Sequence, residues 1–179
     1  MLLLLACAHR PVDVSLVTAT IGPSASDFSP WDGIGTVPPD VRAAAIAAAA
    51  GIDPAAGVAT VAFVSALEGV APPDPAGELF VRGGEPTARV AVAERSDTFV
   101  PAWSDVTLRD VLLAPDQRLV LRLVDIDLDS PDPIGTVEIG PDELRRALGK
   151  RDGLTLDTAE RTNGQLLSVT LRVEREAKR

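Results

Sequence analysis

The sequence predicts an all-β protein, an antiparallel β-sandwich of eight strands with an inserted Ala-rich helical segment and one short helix between late strands. Three observations predict this class. Short runs rich in β-branched residues recur along the chain. Most of these runs are bounded by Pro, Gly or Asp, and the connections between them are short. This pattern is typical of antiparallel sandwiches. With 179 residues, 46% of them hydrophobic, the chain can bury one core without disulfides.

The N-terminal half combines one strand with a helical insertion. Residues 12–21 are rich in β-branched side chains and end at a Gly-Pro turn, which predicts the first strand. Residues 41–50 are mostly alanine, a composition that favours helix, and residues 54–67 are a second helical candidate. Because strand patterns return after Pro72, we expect a helical insertion at about residues 40–70 whose small side chains pack against a sheet face.

The C-terminal part carries the remaining strands. Gly83-Gly84 separates two strand-like runs and predicts a hairpin. A short helix is predicted over residues 141–149, because Pro stands near its start, acidic residues occupy its first turn and Gly ends it. The other seven strands are predicted over residues 78–81, 87–93, 107–112, 118–124, 134–139, 154–156 and 165–174.

Composition narrows the function classes. The formal net charge of -9 argues against nucleic acid, whose binding needs Lys and Arg at phosphates. The only histidine is His9 and the only cysteine is Cys7, so we expect neither imidazole or thiol catalysis nor a His/Cys zinc site in the folded domain. A paired-carboxylate glycosidase is disfavoured, since Tyr is absent and only two Trp could stack on sugars. A non-enzymatic protein is predicted, and its functional groups are carboxylates.

The first ten residues resemble a truncated lipoprotein leader. Leu4-Leu5-Ala6-Cys7 is similar to the bacterial lipobox, which implies acylation of Cys7 and a lipid-anchored protein of the bacterial cell envelope, on the periplasmic or outer-membrane side. The alternative is an apolar terminus with an incidental cysteine. The chain is thus divided into a leader or tether at residues 1–10 and one domain at residues 11–175.

An acidic cluster stands where one predicted strand ends. Leu119, Leu121 and Leu123 share a face by the two-residue period, and the next residues on that face are aspartates, followed by one more in the turn: Asp125, Asp127, Asp129 and Asp132. Four carboxylates so close repel one another unless a cation lies between them. Calcium takes about 6 to 8 oxygen ligands with flexible geometry and suits such a cluster better than magnesium.

Two families have acidic loops of this kind. As an EF-hand loop, the segment lacks Gly at the sixth position, Ser130, and Glu at the twelfth, Thr136, and strands flank it, so this interpretation is discarded. Residues 125–135 instead resemble the third calcium loop of C2 domains, Asp-x-Asp followed by Asp, a hydrophobic residue and Gly. Residues 96–105 look like the Asn-Pro-x-Trp-Asn segment of that family, and residues 74–81 are similar to its Asp-Pro-Tyr-Val.

The resemblance covers the chain from Asp74 onward together with the first strand, and it implies a C2-like sandwich with a calcium site. The implied ligands are Asp74, Asp125, Asp127, Asp132 and one first-loop aspartate, for which Asp32 is preferred over Asp27, with Asp129 as an auxiliary ligand. The implied function is calcium-dependent association with a phospholipid membrane. The alternative is a protein-interaction or envelope-scaffold module with a structural or degenerate site, favoured by basic residues that are only scattered arginines such as Arg82, Arg89 and Arg95.

The aromatic residues near these loops have two interpretations. Trp103 is predicted to be a core residue, because a lone Trp in a strand context usually fills the interior. Phe28 and Trp31 are either loop residues that insert into a bilayer or anchors that hold the first loop against the helices, and the sequence favours neither.

Overall fold

The chain forms a sandwich of two four-stranded sheets in the computed structural model, which describes residues 11–25, 31, 43–44, 47–48, 51, 72–83, 88–112, 114–126 and 131–175. The strands are β1 Val12–Ile21, β2 Pro75–Arg82, β3 Arg89–Val92, β4 Thr107–Val111, β5 Arg118–Asp125, β6 Asp132–Ile139, β7 Leu154–Asp157 and β8 Leu166–Arg175. The predicted eight-stranded antiparallel sandwich is confirmed.

The two sheets have the strand orders β4-β1-β8-β7 and β3-β2-β5-β6. Every neighbouring pair is antiparallel, and β2 with β3 forms the hairpin predicted at the glycine pair. β1 and β8 are central in the first sheet. β1 alternates buried and half-buried residues over most of its length, whereas β8 is buried at most positions from Leu166 to Val173. The inward side chains of both sheets form one hydrophobic core, in which Leu16, Leu79 and Leu171 are fully buried.

β5 runs through the centre of the second sheet and leads to the acidic cluster. Leu119, Leu121 and Leu123 are all buried, as the two-residue period predicts, and Asp125 continues their line. β2 and β6 pair with β5 along their whole length, so both extend beyond their apolar patterns and begin at Pro75 and Asp132, each a few residues before the predicted start. This pairing places the acidic residues at strand ends.

The described part of the helical insertion packs on the outside of the first sheet. Residues 43–44, 47–48 and 51 are helical, and Ala44 and Ala48, one turn apart, pack against Leu167 of β8 and against Ala159. The small alanine side chains let the helix approach the sheet closely, as the composition predicts. The second helical candidate, residues 54–67, lies outside the described residues.

The short helix α1, Pro141–Ala147, follows β6 and begins with Pro and two acidic residues, as predicted. Glu143 connects it to the 3-10 helix Glu160–Thr162: it accepts hydrogen bonds from the Gly140 backbone N–H at 2.9 Å and from the Arg161 guanidinium at 2.7 Å. Burial raises the pKa of Glu143, but these hydrogen bonds and the nearby positive charges outweigh it, so the pKa lies below its ordinary value.

The sandwich has two poles. At one, named here the aspartate pole, the end of β5 meets the starts of β2 and β6, and Gln165 beside β8 donates to the Pro133 carbonyl across the sheets at 2.8 Å. The other end of the sandwich is named here the opposite pole. There the end of β4 meets the start of β1, and the end of β2 meets the start of β5.

Candidate functional site: the aspartate pole

Asp74 and Asp125 lie side by side at this pole. The Asp74 backbone N–H donates to Asp125 Oδ1 at 2.6 Å, and the Ile126 N–H donates back to the Asp74 carbonyl oxygen at 3.1 Å. These bonds continue the β2–β5 ladder by one step beyond its last paired residues, Pro75 and Asp125. The ladder therefore brings together two acidic residues that are far apart in the sequence.

Asp132 is the third predicted ligand at this pole. It is the first residue of β6 and pairs in register with Asp125, and its side chain is exposed. The other predicted ligands, Asp127 and Asp32, and the alternatives Asp27 and Asp129, lie outside the described residues. The structure thus places three of the five predicted ligands at one pole and leaves the other two as predictions.

Asp125 is the most buried acidic residue of the described chain, with an exposure of 0%. We expected its carboxylate to continue the leucine line out of the end of the sandwich, and it does continue that line, but inside the protein rather than in solvent. Because burying a carboxylate is costly unless polar partners compensate it, its hydrogen bond from Asp74 also stabilises the fold.

The segment from residue 95 to 105 closes the pole over Asp74. Asp97 has a left-handed backbone, with a φ of 52°, and its N–H donates to Asp74 Oδ1 at 2.6 Å. The Thr98 N–H donates to the Pro73 carbonyl oxygen at 3.0 Å. Asp97 lies in the segment that resembles the family's Asn-Pro-x-Trp-Asn, with Asp97 in place of the first asparagine. The resemblance did not predict its hydrogen bond to Asp74, which depends on a backbone turn that no periodicity signals.

Both tryptophans are structural. Trp103 is buried and its Nε1 donates to the Ala93 carbonyl oxygen at 2.8 Å, which confirms it as a core residue. Trp31 is 6% exposed and its Nε1 donates to the Gly22 carbonyl oxygen at 2.8 Å. It is therefore an anchor rather than a bilayer-inserting residue, but it packs in the core of the sandwich at the end of β1 and not against the described helix residues. Phe28 lies outside the described residues. Trp31 brings the chain to the aspartate pole immediately before Asp32.

Two exposed apolar side chains accompany the acidic residues. Ile126 directly follows Asp125 and is 38% exposed, and Val100, three residues after Asp97, is 40% exposed. With Leu112 of the opposite pole, they are the large hydrophobic residues exposed in the described chain. Sequence reasoning missed both, although the placement of Ile126 between two aspartates was a readable signal.

The chemistry of the pole suits a hard cation in part. Asp74, Asp125 and Asp132 offer carboxylate oxygens, the ligands that calcium prefers. Yet Asp74 Oδ1 and Asp125 Oδ1 already accept backbone N–H groups, and within the described ranges no three acidic, His or Cys residues are grouped closely enough to hold a metal ion. A complete calcium shell therefore needs oxygens beyond these three residues.

No protein-family model matches this chain, and no curated protein matches it in sequence. Among solved structures it is similar to the two C2 domains of Extended-Synaptotagmin 2, with 16% identity, a TM-score of 0.46, and coverage of 93% of this chain and 41% of that one. It is also similar to a C2 domain of plant Extended Synaptotagmin 1, with 13% identity, a TM-score of 0.42, and coverage of 95% and 98%.

A third similar structure is human GIVD cytosolic phospholipase A2 in complex with an inhibitor and terbium chloride, with 14% identity, a TM-score of 0.47, and coverage of 95% of this chain and 18% of that one. The chain thus spans less than half the length of two of the three solved chains. Its own strand pairing establishes the antiparallel sandwich.

Proposed function

We propose that this protein is a non-catalytic, calcium-binding C2-like module that associates with a phospholipid membrane when calcium is bound. The observation that supports it best is the meeting of two acidic segments at one pole, where the Asp74 N–H donates to Asp125 Oδ1 at 2.6 Å and Asp132 pairs with Asp125 in the sheet. Carboxylates gathered at one pole repel one another, and a bound cation removes that cost.

The proposed ligands are the two neighbouring carboxylates Asp74 and Asp125, the exposed Asp132, and the predicted Asp127 and Asp32. Calcium bound here would supply positive charge and open coordination positions for lipid phosphate oxygens. The protein's part is to fix the carboxylates: β2 and β5 hold Asp74 and Asp125, and the Asp97 N–H orients the Asp74 side chain.

In this proposal calcium, rather than fixed arginines, has the main part in attracting an anionic membrane. Arg82 pairs with Glu138 at 2.6 Å, and Arg89 and Arg122 both pair with Glu78, at 3.1 and 3.6 Å. Two glutamates on the same sheet therefore offset part of the charge of these three arginines. The exposed Val100 and Ile126 at the aspartate pole supply apolar contact once the charge there is reversed.

A second candidate function is a protein-interaction or envelope-scaffold module with a structural or degenerate calcium site. One observation favours it: Asp125 is fully buried and its Oδ1 ties the end of β5 to the start of β2. An aspartate in this place has a structural role without any metal. This candidate predicts the same fold without calcium-dependent lipid binding.

We also propose a lipid anchor at Cys7, which would hold the domain at the bacterial cell envelope. Its support is the lipobox-like Leu4-Leu5-Ala6-Cys7, and residues 1–10 lie outside the described residues. In the described part, no helix is long and apolar enough to span a bilayer. Mass spectrometry of the protein isolated from bacterial membranes tests the anchor, because acylation adds a fixed mass to the N-terminal peptide.

Calcium titration of the full chain by isothermal calorimetry tests the proposed site, with magnesium as the comparison ion. We expect saturable heat with calcium and a higher melting temperature, since a ligand of the native state stabilises it. The double variant Asp125→Asn with Asp127→Asn should abolish binding, and Asp132→Asn, at an exposed position, should weaken it without affecting folding.

The matched control is Asp116→Asn with Asp152→Asn, which removes two exposed carboxylates away from the aspartate pole and should leave affinity unchanged. No calcium heat at millimolar concentration would reject the site. Sedimentation with phosphatidylserine vesicles then separates the two candidates: binding with calcium and not with EDTA supports membrane association, whereas calcium binding without sedimentation supports the structural role.

A further inference from the structure

A cavity of about 240 Å³ opens at the opposite pole, far from the aspartates. It lies between the sheets, where the end of β4 faces the end of β2 and the start of β5. Val81, Val111 and Leu112 form its apolar walls, and the polar groups at its edge are Arg109, Asp110 and Gln117. The volume is below the range of about 300–1,000 Å³ for sites of drug-sized ligands, so the cavity suits a smaller molecule.

A β-bulge in β4 gives the cavity two opposite charges. The β1–β4 register shifts between Val12 and Val14, so that two residues of β4, Arg109 and Asp110, stand opposite the single residue Asp13. Asp110 adopts a left-handed backbone with a φ of 58°, and its N–H donates to Asp13 Oδ1 at 3.3 Å. The bulge brings a guanidinium and a carboxylate to one cavity instead of opposite faces of the strand.

Neither charge is neutralised by an ion pair within the part of the chain that the structure describes. Arg109 and Asp110 are exposed, and among the ion pairs of the described residues none includes either one. They are adjacent in the chain, yet they do not pair with each other. A ligand with both charges could therefore meet both side chains at once.

Gln117 also lines the cavity. Its Oε1 is buried, so a molecule in the cavity does not reach that atom. Arg109 and Asp110 are therefore the two charged groups that a ligand can meet.

We propose that this cavity binds an aliphatic α-amino acid in its zwitterionic form. The carboxylate would pair with Arg109, the ammonium would donate to Asp110, and the aliphatic side chain would lie against Val81, Val111 and Leu112. A fatty acid matches Arg109 and the walls but leaves Asp110 without a cation. An aliphatic amine leaves Arg109 without an anion. Of these three ligands, the amino acid matches both charges.

The test is calorimetric titration of the full chain with L-leucine in EDTA, which separates this site from any calcium binding at the aspartate pole. Three comparison ligands each lack one feature: 4-methylpentanoate lacks the ammonium, isoamylamine lacks the carboxylate and glycine lacks the side chain. We expect saturable leucine binding, and at least about tenfold weaker binding of each comparison ligand, as is typical when one charged hydrogen bond or the apolar contact is lost.

Two variants test the residues. Arg109→Gln and Asp110→Asn each remove one charge, and Asn accepts the left-handed backbone of residue 110. Each should weaken leucine binding at least about tenfold, and the surface variant Asp152→Asn should not. Equal affinity for leucine and 4-methylpentanoate, unchanged binding in Arg109→Gln, or no saturable heat at about 10 mM leucine would overturn the proposal.

Discussion

Gly77 of β2 is the position where a single methyl group should disturb both the fold and the candidate site. At its φ of +157°, a Cβ atom would point at the neighbouring strand and lie 1.9 Å from the Arg122 carbonyl oxygen and 3.1 Å from the Leu123 Cα. Since both contacts are backbone atoms, no rotamer relieves them, and β2 must move away from β5 by roughly 1 Å. Asp74, just before β2, should shift away from Asp125 with it.

Two effects lower the free energy of unfolding of the Gly77→Ala variant. Overpacking a filled site costs about 1–3 kcal/mol, and an L side chain in a backbone region that is nearly restricted to glycine adds about 1–3 kcal/mol. We therefore expect Gly77→Ala to lower the free energy of unfolding by about 3 kcal/mol, which for a domain of this size lowers the melting temperature by about 6–12 °C. Calcium affinity should fall with it, if the aspartate pole binds calcium.

Thermal and urea unfolding followed by circular dichroism measure the effect. The matched control is Gly140→Ala, because Gly140 has a φ of -80° and the nearest atom to its added Cβ is Glu143 Oε2 at 3.9 Å. This control should cost no more than about 1 kcal/mol. A melting temperature for Gly77→Ala equal to that of the control would refute the close approach of β2 and β5.

Two further predictions concern the stability of the domain. Because the folded pKa of Glu143 is lowered, its contribution is present above the unfolded value of 4.5 and is lost as the pH falls through the folded pKa. Glu143→Gln should therefore be less stable than the wild type by about 1 kcal/mol at pH 7, and the two melting temperatures should converge as the pH falls below the lowered folded pKa. A difference that stays constant as the pH is lowered would contradict this. Trp31→Phe removes the donor to the buried Gly22 carbonyl oxygen and should lower the free energy of unfolding in urea by about 1–2 kcal/mol. An unchanged urea midpoint would show that this hydrogen bond does not hold the first loop.

Local patterns in the sequence predict much of this fold. The β-branched run of residues 12–21 is β1 from end to end, and the signals at Pro141 and the acidic first turn place α1. These features depend on neighbours in the chain, which a sequence displays directly. The strand order depends instead on residues far apart in the chain. β1 pairs with both β4 and β8, and Thr107 of β4, which bonds to Ser15 of β1, is 92 positions away from it.

Local patterns also predicted only part of the candidate site. The two-residue period of β5 predicted that Asp125 lies in line with the buried leucines, and the resemblance predicted that Asp74 lies at the same pole. Neither could show that Asp125 is buried inside the ladder and bonded to the Asp74 N–H, since this depends on how far β2 extends along β5. The bulge at Arg109 and Asp110 left no local signal either, because only the comparison with Asp13 across the sheet reveals it.

The central claim is that carboxylates from separate turns share one calcium ion, and a crystal structure of the full chain grown with calcium tests it most directly. We predict an ion within about 2.3–2.6 Å of oxygens of both Asp74 and Asp125, with Asp132 and Asp127 completing the shell. Calcium bound elsewhere, or an Asp74–Asp125 contact that keeps its present hydrogen bonds and holds no ion at saturating calcium, would contradict the claim.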